Sequence, residues 1–125
     1  MEEQKNKILI IEDDKFFRDL LTIKFQKENF EVKAAAEGKE AMEILKTFSP
    51  SFIIMDLILP GLNGYELLAL VKQDPAHKNV PVLVLSNLGD QEEVARVIAL
   101  GAVGFMTKVN FTLEEIVARV RKFLI

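Results

Sequence analysis

The chain has 125 residues, half of them hydrophobic, a net charge of −3 and no cysteine. That length supports one hydrophobic core rather than two, and the apolar content excludes a disordered chain. Without cysteine there are no disulfides and no thiolate metal sites, and without a dense Lys/Arg stripe there is no footprint for direct nucleic-acid binding.

The first strand-like run is Ile8 to Ile11, almost continuously apolar, as suits a strand covered on both faces of a parallel sheet. Glu12, Asp13 and Asp14 follow it. Phe17, Leu20, Leu21 and Phe25 then share one face of a first helix. A second run, Phe30 to Ala35, precedes Ala41, Ile44, Leu45 and Phe48, which are spaced i, i+3, i+4, i+7 as on a second helix. The third run, Phe52 to Met55, ends in Asp56, and Leu67, Leu68 and Val71 mark a third helix. The fourth run, Val80 to Leu85, carries Pro81 near its start, where a missing donor does least harm, and ends in Ser86. Asp90 and Glu93 have capping-box spacing before a helix with Val94, Val97 and Ile98, and Gly101 reads as its left-handed C-cap. The fifth run, Ala102 to Met106, leads to Lys108. Thr112 and Glu115 repeat the capping box before Leu113, Ile116, Val117, Val120 and Leu124.

Strict alternation of five strands and five helices predicts an α/β, three-layer (βα)5 doubly wound parallel sheet. Residues 1–125 read as a single domain with no repeat, linker or output domain. No apolar run approaches the roughly 20 residues that span a bilayer. The N-terminal MEEQKNK also lacks the apolar stretch of a signal peptide, so a cytoplasmic protein without a membrane partner is expected. His77, in the polar loop DPAHKN, is expected at the surface.

Sites in open parallel sheets form beyond the carboxyl ends of the strands. Four of the five runs end in chemistry: Glu12, Asp13 and Asp14, then Asp56, then Ser86, then Lys108. Each alone has an ordinary alternative. Asp14 can simply cap the first helix, Ser86 can be a turn hydroxyl, and Lys108 a solvated charge. Together they place several carboxylates in one region beside one lysine, which calls for a cation. An all-oxygen set without EF-hand spacing suits Mg²⁺, with Mn²⁺ as the alternative.

The segments KILIIEDD, FIIMDLILPGLNGYELL, VPVLVLSN and GAVGFMTK, in this order, resemble the receiver domain of two-component response regulators, of the chemotaxis-receiver kind. The resemblance runs from about Lys7 to the C-terminus. It implies a flavodoxin-like strand order 2-1-3-4-5 and a phosphorylation-dependent switch rather than an enzyme acting on an external substrate. By the same resemblance, Glu12 and Asp13 hold the metal, Glu12 through water, together with Asp56 and the backbone carbonyl of Ile58. Asp56 is the phosphoacceptor, and Pro60, Gly61 and Gly64 form the stiff loop supporting it. Lys108 pairs with Asp56 and later with the phosphoryl oxygens, Ser86 is the switch hydroxyl, and Phe105 is the aromatic that turns with it. The implied phosphodonor is a sensor histidine kinase or a histidine phosphotransfer protein. The face of the fourth helix, fifth strand and fifth helix, with Arg96, Arg119, Arg121 and Lys122, would address a downstream protein, in a monomer or a phosphorylation-dependent dimer.

Two positions depart from the family pattern. Val109 stands where proline is usual, so the Lys108–Val109 peptide is either trans with a shifted lysine or a strained cis bond. Asn87 stands where a small residue is usual and is expected to alter dephosphorylation. A flavin protein of this architecture would need a Gly/Ser/Thr-rich loop after the first strand, and three acids stand there instead. A small-molecule phosphatase would need a further acid/base and a lid. A degenerate receiver used only for docking remains a further alternative.

Overall fold

A computed structural model describes residues 5–87 and 89–124. The elements are β1 (Asn6–Ile11), α1 (Lys15–Lys27), β2 (Phe30–Ala35), α2 (Gly38–Leu45), β3 (Phe52–Met55), α3 (Gly64–Gln73), β4 (Val82–Ser86), α4 (Gln91–Ala99), β5 (Gly104–Thr107) and α5 (Leu113–Lys122). All strand pairs are parallel, in the order β2-β1-β3-β4-β5. This is the predicted doubly wound architecture.

Strand alternation sorts the core into two layers. Leu9, Ile11, Ile53, Met55, Val82 and Val84 pack with α2, α3 and α4 residues such as Leu45, Leu67 and Val97. Ile8, Ile10, Phe52, Ile54, Leu83 and Leu85 pack with Leu21 and Phe25 of α1 and with Ile116, Val117 and Val120 of α5. Both faces of the central strands are therefore apolar, which is why their sequences run unbroken rather than alternating.

Helix ends follow local chemistry. Asp14 caps α1 by accepting from the Phe16 and Phe17 amides, so the third acid of the first loop has the capping role. Asn63 caps α3 and Asp90 caps α4, and Thr112 with Glu115 closes a complete capping box on α5. Gly101 takes φ +110, the positive value expected of a residue ending α4.

Several expectations need correction. β4 starts at Val82, not Val80: the Pro81 ring supplies no donor, and its carbonyl instead accepts from the Ile53 amide at 2.9 Å. β5 starts at Gly104, not Ala102, because the turn after α4 is still completing through Gly101. Leu20 and Ile98 lie on exposed flanks of their helices, and α2 ends before Phe48, which is buried from the following turn. His77 is not a surface residue. It is 5% exposed, and its Nε2 lies 3.0 Å from the carbonyl of Leu45, tying the α3–β4 loop to the last turn of α2. Among the described residues no helix is long and apolar enough to cross a membrane.

The order reverses at β1: the chain leaves β1 for β2 on one side and returns to β3 on the other. The loops after β1 and β3 therefore diverge, opening a crevice at the carboxyl edge between them.

Candidate functional site

Glu12 and Asp13 leave β1 at this crevice and Asp56 leaves β3 beside them. The Asp56 amide bonds the Ile11 carbonyl at 3.0 Å and the Glu12 amide bonds the Ala35 carbonyl at 2.9 Å, so both acids are anchored by sheet hydrogen bonds. One carboxylate oxygen from each of Glu12, Asp13 and Asp56 lies within 4.8 Å of the others. Glu12 and Asp56 are buried, while Asp13 is exposed at the mouth. Arg18, one turn into α1, donates to the Glu12 carbonyl at 2.8 Å and to the Asp13 carbonyl at 3.3 Å, clasping the acidic loop to the helix.

Lys108 reaches in from the far side. Its backbone amide bonds the Ser86 carbonyl at 2.9 Å, which continues the β4–β5 ladder one step past the strand end. Its Nζ donates to Asp56 Oδ2 at 2.8 Å and is paired also with Glu12. The other Asp56 oxygen accepts from the Ile58 amide at 3.2 Å. Nζ further sits 4.9 Å from the centroid of the Phe17 ring.

Burial pushes the Glu12 carboxyl up from the usual 4.5 to about 7; the nearby Asp56 charge adds to this and the Lys108 hydrogen bond opposes it. For Lys108, burial by itself would lower the pKa. The hydrogen bonds and charges of Asp56 and Glu12 outweigh it and raise the value above the ordinary 10.5. One buried ammonium faces two buried carboxylates and a third at the rim, so the pocket retains an excess of negative charge. The oxygen-only donor set and its spacing fit a hard divalent cation.

The loop after Asp56 is held by backbone contact. The Gly64 amide bonds the Leu57 carbonyl at 2.8 Å, and a Cβ at Gly64 would lie 2.5 Å from Leu57 Cα and 2.6 Å from the Asp56 carbonyl oxygen. Only glycine permits that approach. Ser86 is buried at the end of β4, on the same sheet face as Val84. Asn87 is exposed just beyond it. Phe105 packs against the α2–α3–α4 side of the core, and the backbone at Gly89 lies on its ring: a Cβ there would come 2.5 Å from Phe105 Cε1.

The response regulator receiver domain family matches residues 8–121. The chain belongs to this family. The chain is 34% identical over 118 residues to the phosphate regulon transcriptional regulatory protein PhoB of Rhizobium meliloti, covering 94% of this chain and 52% of that protein. It is 30% identical over 121 residues to the DNA-binding response regulator MtrA of Mycolicibacterium smegmatis, covering 97% and 51%. The receiver thus spans about half the length of these curated relatives. Among solved structures, the chemotaxis response regulator CheY4 of Vibrio cholerae superposes with a TM-score of 0.89 at 26% identity, covering 96% of this chain and 99% of that one. Receiver domains are signalling domains of two-component systems, phosphorylated on an aspartate.

The receiver brings Glu12, Asp13, Asp56 and Lys108 together, with Ser86 at the adjoining strand end and the Ile58 backbone beside Asp56. The Lys108–Val109 peptide is trans, and the Val109 side chain is 79% exposed. The cationic face is less uniform than the sequence suggests. Arg121 turns to the end of α1, donating to the carbonyl and carboxylate of Glu28, and Arg96 stacks 3.8 Å from the Tyr65 ring centroid. Arg119 and Lys122 line a shallow cavity of about 180 Å³ with Met106 and Phe111. Sequence reasoning assigned no site role to Phe17 and Arg18; nothing in their spacing separates them from ordinary helix residues.

Proposed function

We propose that Asp56 is the phosphoacceptor of this receiver, taking a phosphoryl group from a phosphohistidine on a sensor kinase or phosphotransfer protein. The observation that carries this reading is the Asp56 carboxylate itself. It is buried at the sheet's switch point, grouped with the Glu12 and Asp13 carboxylates and bonded by Lys108. In the transfer, an Asp56 carboxylate oxygen forms the new P–O bond as the donor's P–N bond breaks. The electron pair stays on the departing imidazole nitrogen, which takes up a proton.

Glu12 (through water), Asp13, Asp56 and the Ile58 carbonyl are the residues that would hold Mg²⁺, or Mn²⁺ in its place. When bound, such an ion supplies charge neutralisation for the incoming phosphoryl oxygens. Lys108 adds a charge-assisted contact, and the crevice restricts the approach so that positioning does much of the work. The receiver catalyses only its own phosphorylation and dephosphorylation on this reading. The added phosphoryl charge draws Ser86 and Lys108 inward and Phe105 follows, biasing the α4–β5–α5 face toward a state that a downstream protein reads. That face would serve a monomer binding its target or a phosphorylation-dependent dimer.

Incubation with acetyl phosphate and Mg²⁺, resolved on a phosphate-affinity gel, tests the assignment. Label is expected on the wild type, with none on Asp56→Asn and none when EDTA is present. Label persisting on Asp56→Asn places the acceptor elsewhere.

A further inference from the structure

We propose that Phe17 is a positioning residue for Lys108, its ring forming a platform that fixes the ammonium between the two buried carboxylates. The inference rests on the assignment of Asp56 as phosphoacceptor. Lys108 carries a long side chain, and the chain after it offers little restraint: Val109 projects into solvent. The backbone is pinned at the Ser86 carbonyl, but that leaves the side-chain torsions open. Glu12 and Asp56 both attract the ammonium, so charge alone does not select between them.

The Phe17 ring supplies the missing constraint. Its centroid lies 4.9 Å from Nζ, inside the ~6 Å range of a cation over an aromatic face. The ring is itself held, packed against the layer that contains Leu21, Phe25 and Ile116. The same turn of α1 is tied to the acidic loop by the Asp14 cap and the Arg18 clasp. One helical turn therefore sets both the acids and the platform for the cation facing them. The Lys108 side chain is 8% exposed, so little water competes for the ammonium and the attraction is strengthened. A ring face adds no carboxylate to an already anionic pocket. It also offers no oxygen that would hold the ammonium away from an arriving phosphoryl group.

The test pairs placement with reactivity. In the wild type, side-chain NMR of the receiver is expected to show the Lys108 Cε protons shifted upfield by the ring current, and Phe17→Leu to abolish that shift. With acetyl phosphate and Mg²⁺, Phe17→Leu is expected to phosphorylate about 2- to 30-fold more slowly, and Phe17→Trp to recover most of the rate. Should Phe17→Leu fold poorly, a site-specifically fluorinated phenylalanine at position 17 keeps the ring's shape while draining its negative face. The same slowing is expected there, which a packing role would not produce. Unshifted Lys108 resonances in the wild type, or a wild-type rate in the fluorinated protein, overturn the proposal. A wild type that shows the ring-current shift but takes no label refutes the phosphoacceptor assignment instead.

Discussion

Lys108 Nζ and Asp56 Oδ2 meet at 2.8 Å although 52 positions separate them in the chain. The pair joins the end of β5 to the end of β3, and β4 lies between those strands in the sheet. The lysine therefore spans a whole strand to reach its partner, and it stands as counter-ion to Glu12 as well.

Removing that counter-ion leaves two carboxylates buried without compensation. Lys108→Gln is expected to lower unfolding free energy by about 3 kcal/mol at pH 8, the scale of an orphaned buried charge. At pH 5.5, where Glu12 holds a proton, the loss should shrink. Urea denaturation at the two pH values checks this, and equal losses would contradict the buried-charge account.

Glu12 carries its own pH signature. Its carboxyl binds a proton more tightly folded, about 7, than unfolded, 4.5. The unfolded state therefore ionises first. The stabilisation from this group is full below 4.5, declines between 4.5 and 7, and is absent above. A shift of this size corresponds to about 3 kcal/mol. In EDTA, the wild type should lose stability across that window relative to Glu12→Gln, whose side chain cannot ionise. Parallel pH profiles would argue against a raised Glu12.

Gly64→Ala would drive a methyl into the backbone at Asp56 and Leu57. Overpacking of this kind costs about 1–3 kcal/mol. Because the contact is to the residue proposed as phosphoacceptor, beryllofluoride binding should weaken in parallel with the urea midpoint. A stability loss with unaltered binding would separate the loop's packing from its support of Asp56.

Asn87 stands exposed directly after the buried Ser86, just past the carboxyl end of β4. Truncating its amide opens the approach for water, so Asn87→Ala should shorten the lifetime of the aspartyl phosphate. Decay of labelled protein after removal of the phosphodonor measures it, and equal lifetimes would rule out a gating role for Asn87.

Most of the sheet was legible because its central strands are buried on both sides and so write themselves as unbroken apolar runs. Glu12, Asp13, Asp56 and Lys108 could be grouped from sequence because parallel strands deliver their carboxyl ends to one edge. What escaped depended on side-chain direction across packed elements. Phe17 read only as a helix-core residue, since its stripe position says nothing of the ammonium over it. His77 sat among polar neighbours in DPAHKN, and only the meeting of that loop with the end of α2 accounts for its burial. Val80 and Pro81 continued an apolar run whose ladder begins two residues after Val80, at Val82.

The dependence of the pocket on β5 has a consequence for how the protein comes into being. The acids are synthesised early and their cation late, and the lysine reaches them only when the last strand has docked beside β4. An intermediate lacking β5 would hold an anionic crevice with no internal neutralisation, and such a species should resist full closure. Pairing of the acids with Lys108 therefore waits on the β4–β5 contact, in whatever order the other elements form.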